Sequence, residues 1–162
     1  MTKYWRVFIA VAVALAIFFH PLSAEAVKKS VAGKKRALTK DFSNQTLIAR
    51  EFTKLNLEDT DFSNSDLRGS VFNGSALINS DMHGMDFSNG IAYLVDFQGA
   101  DLRDANLTDA MMLYSTFDSV KIDGADFTNS VIDGVQQKKL CAIATGVNSK
   151  TGISTRESLE CE

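Results

Sequence analysis

Hydrophobic positions along the chain fall into two unlike regimes. Val7 to Phe19 form one uncharged apolar run behind Lys3 and Arg6, and Ala24-Glu25-Ala26 follows with the spacing of an A-x-A cleavage site. From Phe42 onward the apolar residues recur singly at every fifth position: Phe42, Leu47, Phe52, Leu57, Phe62 and so on to Phe127 and Ile132. Ala92 is the small member of that register. Two residues before each centre the middle of the array prefers Ser or Ala, as at Ser65, Ser70, Ser75, Ser80, Ala100, Ala105, Ala110, Ser115, Ala125 and Ser130.

A five-residue step fits neither common element. On an α-helix it turns about 500°, so successive centres scatter around the cylinder. On a strand an odd step moves each centre to the opposite face. All the centres can share one interior only if the backbone bends by a fixed amount every five residues. The internal repeat therefore predicts a solenoid, held by stacking of one coil on the next.

The units "ADLRDANLTDA" and "ADFTNS" resemble the A-(D/N)-L-x-x units of the pentapeptide-repeat family. That resemblance covers residues 40–134 and implies an all-β fold, a right-handed quadrilateral β-helix with four units per coil. The centre and the residue two before it point inward, and the other three face out. At twenty residues per coil the array makes just under five coils. Ser and Ala suit the second inward position because little room remains beside a Phe or a Leu.

The register stops after Ile132, since the next centre is Gln137. Gln136 to Thr145 has helical composition and ends at Gly146, and Ser154 with Glu157 forms a capping-box pattern for a second short helix reaching Cys161. The tail "LCAIATGVNSKTGISTRESLEC" resembles the C-terminal extension of lumenal pentapeptide proteins of cyanobacteria and plants. By that resemblance residues 135–162 are a two-helix cap joined by a disulfide, and the compartment is a thylakoid lumen.

The leader bears on the same point. Thirteen apolar residues make a helix of about 20 Å, short of the roughly 30 Å of bilayer hydrocarbon. Residues 1–26 thus read as a cleaved Sec-type export signal, with a retained anchor as the alternative, and periplasm remains open beside the lumen. Residues 27–39, with Lys28, Lys29, Lys34, Lys35 and Arg36, form a basic linker or N-terminal cap. Removing residues 1–26 takes Lys3, Arg6 and Glu25 from 17 basic and 20 acidic residues, leaving 15 and 19, a net charge of −4. An acidic chain gives no general reason to expect nucleic acid. Export also places Cys141 and Cys161 where pairing is the default, contributing about 3 kcal/mol by loop closure. A structural clip and a redox switch are both open, although the pair is not a CxxC motif.

Candidate chemistry is sparse. The sequence holds no Gly-rich phosphate loop, nucleophile elbow or metal-spaced Cys/His cluster, so no catalytic, cofactor-binding or metal residue is assigned. His20 lies in the leader, and His83 sits at an outward position where a solvated side chain is expected. Carboxylates form columns: Asp41, Asp61, Asp81 and Asp101, broken by Lys121, and Asp66, Asp86, Asn106 and Asp126. Ca²⁺ could relieve their repulsion, but turn hydrogen bonding to backbone accounts for them without it.

One face breaks the polar pattern. Ile91, Tyr93 and Leu94 are outward around Ala92, and Met111, Leu113 and Tyr114 follow one coil later, with Val71 and Val131 in the same column beyond. Met85 and Val95, larger than the usual Ser or Ala, are expected to fill the space that Ala92 leaves. An apolar patch of this size commonly marks a contact. Three accounts compete: the C-terminal tail folds over it, a protein or membrane partner binds it, or it is tolerated surface. The sequence thus predicts a non-enzymatic scaffold, monomeric or weakly dimeric, with a protein partner and no stable membrane insertion after signal cleavage. The alternatives are a gyrase-binding DNA mimic, as the family resemblance allows, and an enzyme of unknown class. The export signal and disulfide argue against the first, and the lack of a second catalytic group argues against the other.

Overall fold

The computed structural model describes residues 40–162; the leader read from residues 1–26 and the basic stretch 27–39 lie outside them. From Asp41 to Val131 the backbone winds so that bridging residues pair in parallel with those twenty positions later. Asp41 pairs with Asp61, Thr46 with Asp66, Glu51 with Val71 and Asn56 with Ala76, and the pattern repeats. Four such pairs per turn give the coil four sides. Side one carries the centres Phe42, Phe62, Met82, Leu102 and Ile122, and side two Leu47, Leu67, Phe87, Leu107 and Phe127. Side three carries Phe52, Phe72, Ala92, Met112 and Ile132, and side four Leu57, Leu77, Phe97 and Phe117.

The ladder explains the period. Each centre donates its N–H to the next turn, as Phe62 does to the Asp81 carbonyl at 2.7 Å. The residue before it donates to the preceding turn, as Asp81 does to the Thr60 carbonyl at 2.9 Å. At most corners the amide three residues after a centre returns to that centre's carbonyl, as Ser65 does to Phe62 at 3.2 Å, while the Leu55 and Val95 amides donate instead to the hydroxyls of Ser75 and Ser115. This turn puts the residue two after the centre at positive φ, as in a type II turn. Asn44, Asp59, Asn64, Gly69, Gly84 and Asn129 all hold such corners with φ between 54° and 66°. Asn, Asp and Gly tolerate that region best, which is why they punctuate the sequence.

Inside, centres from Phe52 to Phe127 are buried, while Phe42, Leu47 and Ile132 at the two ends are half-buried. Rings in one column stack: Phe42 on Phe62 at 5.1 Å, Phe52 on Phe72 at 4.7 Å and Phe97 on Phe117 at 5.1 Å. These spacings match the distance between hydrogen-bonded strands of about 4.8 Å. Rings on adjacent sides meet edge to face, as Phe62 and Phe72 do at 5.6 Å. The buried serines do more than fit: Ser65 donates its hydroxyl to the Phe62 carbonyl at 2.6 Å, and Ser115 donates to the Ala92 carbonyl at 2.6 Å. A buried hydroxyl is thereby satisfied by backbone the ladder leaves free.

Around Ala92, Met85 and Val95 are fully buried as expected. Phe87 also takes up room there, because its ring lies against Gly90, where an added Cβ would overlap it. Phe72 accordingly meets the tilted ring of Phe87 at 5.6 Å instead of a ring above it in its own column.

Beyond Val131 the chain forms α1, Gly134–Cys141, and α2, Thr155–Ser158. Both are shorter at their C-terminal ends than the sequence predicts, which placed them at 136–145 and up to Cys161. α1 stops at Cys141 because the chain must drop so that the Thr145 carbonyl can accept from the Gly124 amide at 2.9 Å. α2 starts where the capping pattern put it, with the Ser154 hydroxyl accepting from the Glu157 amide at 3.2 Å. Leu140, Ala144 and Leu159 are buried against the last turn, and Cys141 is disulfide-bonded to Cys161. Between the helices, Thr145 to Lys150 runs along the corner between sides one and two. Asn148 donates to the carbonyls of Gly124 and Ala105 at 2.9 and 3.2 Å, the Ser149 amide donates to Asp104 at 2.6 Å, and Lys150 reaches the Gly84 carbonyl.

The position of Phe87 gives a direct test of this packing. Gly90→Ala forces the ring aside in a filled core and is expected to cost about 1–3 kcal/mol, read as a lowered urea midpoint. Gly134→Ala, with open space around it, serves as the control and leaves the midpoint nearly unchanged.

Candidate functional site

The apolar column forms on side three because the ladder sets its residues directly over one another. Val71 bridges Ile91, Ile91 bridges Met111, and Met111 bridges Val131. The register likewise places Tyr93 beneath Leu113 and Leu94 beneath Tyr114, and the Tyr93 and Tyr114 rings meet edge to face at 5.3 Å. Ile91, Tyr93, Leu94, Met111, Tyr114 and Val131 are exposed, while Val71 and Leu113 are half-buried. The structure thus brings all eight residues onto one side.

Two of them occupy corners. Leu94 has φ 56° and Tyr114 φ 57°, yet their neighbours around the coil at equivalent corners are mostly Asn, Asp or Gly. Left-handed backbone costs an ordinary L-residue about 1–2 kcal/mol. Neither side chain recovers this by burial, since Leu94 is 57% and Tyr114 60% exposed. The Tyr114 amide donates to the Asp133 carboxylate at 2.6 Å, which leaves that N-cap residue of α1 without a side-chain bond to its own helix.

The tail does not cover this side. Its route from Thr145 to Lys150 follows the corner between sides one and two, through Gly124, Ala105, Asp104 and Gly84, and Ile91, Tyr93, Leu94, Met111, Tyr114 and Val131 stay exposed on side three. The tail account of the patch is therefore overturned. What fixed the route was hydrogen bonding to corner carbonyls and carboxylates, a demand that hydrophobic patterning does not register.

Side one holds the remaining polar cluster. Asp81, His83, Arg103, Asp104, Asp123, Gly124 and Val147 line an open groove of about 450 Å³. Most of its charges are engaged: Arg103 grips Asp101 through Nε and Nη2 at 2.8 and 2.7 Å, Asp123 accepts from Thr145, and Asp104 accepts from Ser149. His83 is not merely solvated, since Nδ1 lies 2.7 Å from Asp81. Among the described residues no group of three His, Cys, Asp or Glu side chains is placed to hold a metal ion.

The carboxylate columns stand as the register predicts, Asp41 to Asp61 to Asp81 to Asp101 to Lys121. Each side chain is turned to its own backbone: Asp61 accepts from the Ser63 amide at 2.8 Å, Asp86 from Ser88 at 3.0 Å and Asp126 from Thr128 at 2.9 Å. These are Asx turns, formed where the bridging position holds Asp or Asn. The Ser43 hydroxyl and amide hold the Asp41 carboxyl below the usual range. Arg68 does the same to Asp66. At Asp101 burial pushes the carboxyl up, but hydrogen bonds and charge from Arg103, with Lys121 beside it, outweigh burial and leave it lowered.

Geometry of this kind, a parallel coil with one inward centre per five residues, defines a class of repeat protein. The family model for pentapeptide repeats matches the chain in eight copies, at residues 56–91 and 94–129. The chain belongs to the pentapeptide-repeat family. Over 41 residues it is 56% identical to thylakoid lumenal protein TL20.3, chloroplastic, of Arabidopsis thaliana, covering 25% of this chain and 15% of that one. Over 47 residues it is 43% identical to thylakoid lumenal 15 kDa protein 1, chloroplastic, of the same plant, covering 29% and 21%. The matches thus span about a fifth or less of those relatives. A crystal structure of a pentapeptide repeat protein from the Arabidopsis thaliana thylakoid lumen is 33% identical, with 73% of this chain and 89% of that chain covered and a TM-score of 0.40.

The lowered carboxyls set an acid limit. A carboxyl lowered by folding stabilises fully above its unfolded value of about 3.9, and that contribution is lost as pH falls through the lowered folded value. Stability against urea is therefore expected to be flat above about pH 5 and to fall toward pH 2. The gap between the wild type and Arg103→Ala should be largest near neutral pH, shrink with added salt, and close in acid as Asp101 protonates.

Proposed function

We propose that this chain is a non-enzymatic scaffold of an exported compartment, the thylakoid lumen, and that side three docks a protein partner. The observation that carries the reading is the apolar column through Ile91, Tyr93, Met111 and Tyr114, which the protein's own tail leaves open. Similarity to thylakoid lumenal proteins of Arabidopsis thaliana supports the compartment. So do the signal-like residues 1–26 and the Cys141–Cys161 disulfide. Among the described residues no helix is long and apolar enough to cross a membrane. The groove on side one supports a structural reading over catalysis, because Asp101, Asp104 and Asp123 are spent on Arg103, Ser149 and Thr145.

In this reading residues 1–26 are the export signal and 27–39 the linker or N-terminal cap. Residues 40–134 make just under five right-handed turns, and 135–162 close the end. The coil acts as a rigid rod that presents side chains at fixed spacing, and the disulfide-bonded cap keeps its last turn from fraying.

A photoreactive phenylalanine at Tyr93 of the full chain, irradiated in the producing cells, should join a second protein in the lumenal fraction. Met111→Ser with Tyr114→Ser should cut that adduct about fivefold while the Tm stays within about 3 °C, as befits exposed positions. Leu113 is a poorer reporter because it is half-buried. No adduct, or one confined to the cytosolic fraction, would overturn the reading.

A further inference from the structure

The borders of side three say what kind of partner fits. Asp109 precedes Met111 by two residues at one border of the column, and Asp96 follows Leu94 by two at the other. Residues 86–99 and 106–119, which make sides two to four around the patch, contain Asp86, Asp96, Asp109 and Asp118 and no lysine or arginine. Asp118 is neutralised by Lys139 at 2.9 Å. Among the described residues Asp96 and Asp109 have no such counter-ion. Their hydrogen bonds come from neutral groups, Thr116 and Gln98 on Asp96 and Asn129 on Asp109.

The corner residues add an independent mark. At Leu94 and Tyr114 the backbone is left-handed and the side chains stand in water, so folding alone is served better by Asn or Gly there. Strain of this kind collects where a surface is used.

We propose that the partner is a basic, apolar protein segment that covers Tyr93, Leu94, Met111 and Tyr114 and sets lysine or arginine against Asp96 and Asp109. This rests on the docking role given to side three above. Charge complementarity selects among occupants. A second copy of this chain would bring acidic borders to acidic borders, and an anionic lipid surface would be repelled by the same carboxylates. An apolar ridge flanked by cations satisfies both features at once.

The test uses the full chain with the photoreactive residue at Tyr93, alone and combined with Asp96→Lys and Asp109→Lys. The expected adduct is a peptide of another protein with Lys or Arg close to the crosslinked apolar residue. Its yield should drop about tenfold on the double charge reversal, and also when the opened compartment is taken from about 50 mM to about 500 mM salt. Separately, Leu94→Asn should raise the Tm by about 2–4 °C and still lower the yield. An adduct indifferent to both salt and charge reversal overturns the basic partner while leaving the docking role intact. A crosslink to a second copy or to lipid overturns it too, as does a fall in Tm with Leu94→Asn. Absence of any wild-type adduct removes the docking role itself.

Discussion

Every twenty residues the backbone comes back to bond with itself, the amide of Phe62 to Asp81, of Met82 to Asp101 and of Leu102 to Lys121. That return is possible only if each turn has four corners of the same geometry, and each corner requires one residue at positive φ. The ladder also fixes what lies inside, because a centre that donates to the next turn has its side chain directed at the shared axis. Phe42 then sits on Phe62 and Phe97 on Phe117 at nearly the spacing of the strands themselves. Backbone pairing and side-chain stacking thus share one repeat distance, and neither could change without the other. Two inward positions in five are consumed by this arrangement, which leaves three to solvent.

Much of that was legible in the residues. A five-residue recurrence of Phe and Leu leaves no other common geometry, so the inward set and the columns on each face follow from numbering alone. The column Val71, Ile91, Met111, Val131 was readable for the same reason. The Cys141–Cys161 bond and the start of α2 at Ser154 were also visible, one as the sole pairing of the two cysteines and the other as a capping pattern. The unread parts depend on how side chains lean and on where single hydrogen bonds go. Phe87 leans over Gly90, a placement that no periodicity encodes. Helix α1 ends early because Gly124 needs the Thr145 carbonyl, and composition alone favoured continuing to Thr145. The hydroxyls of Ser65 and Ser115 were read as small volume, and their bonds to carbonyls emerge only with the ladder in place.

The corner rule also changes how the patch is understood. From the sequence, Leu94 and Tyr114 were simply outward apolar residues, equal in weight to Ile91 or Met111. With φ values of 56° and 57° they become the expensive members of the set. Ile91 and Met111 sit at bridging positions, where apolar residues are comfortable on a pleated wall. Leu94 and Tyr114 sit where the turn itself would favour Asn or Gly. Tolerated surface explains the first pair well and the second pair poorly.

The four-sided section finally separates stability from display. The tail spends its hydrogen bonds on the corner between sides one and two, where it ties Gly84, Ala105 and Gly124 across successive turns. Side three receives none of that reinforcement, apart from the Asp133 carboxylate on the Tyr114 amide. A strap that crossed side three would have buried the apolar column and gained from doing so, since burial of such side chains contributes roughly 1.5 to 3 kcal/mol each. The chain instead places its strap over polar corners, where it hydrogen-bonds Asp104 and Asp123. The hydrophobic column stays exposed within residues 40–162, and the docking role proposed for side three rests on that division of labour between the corners and the open side.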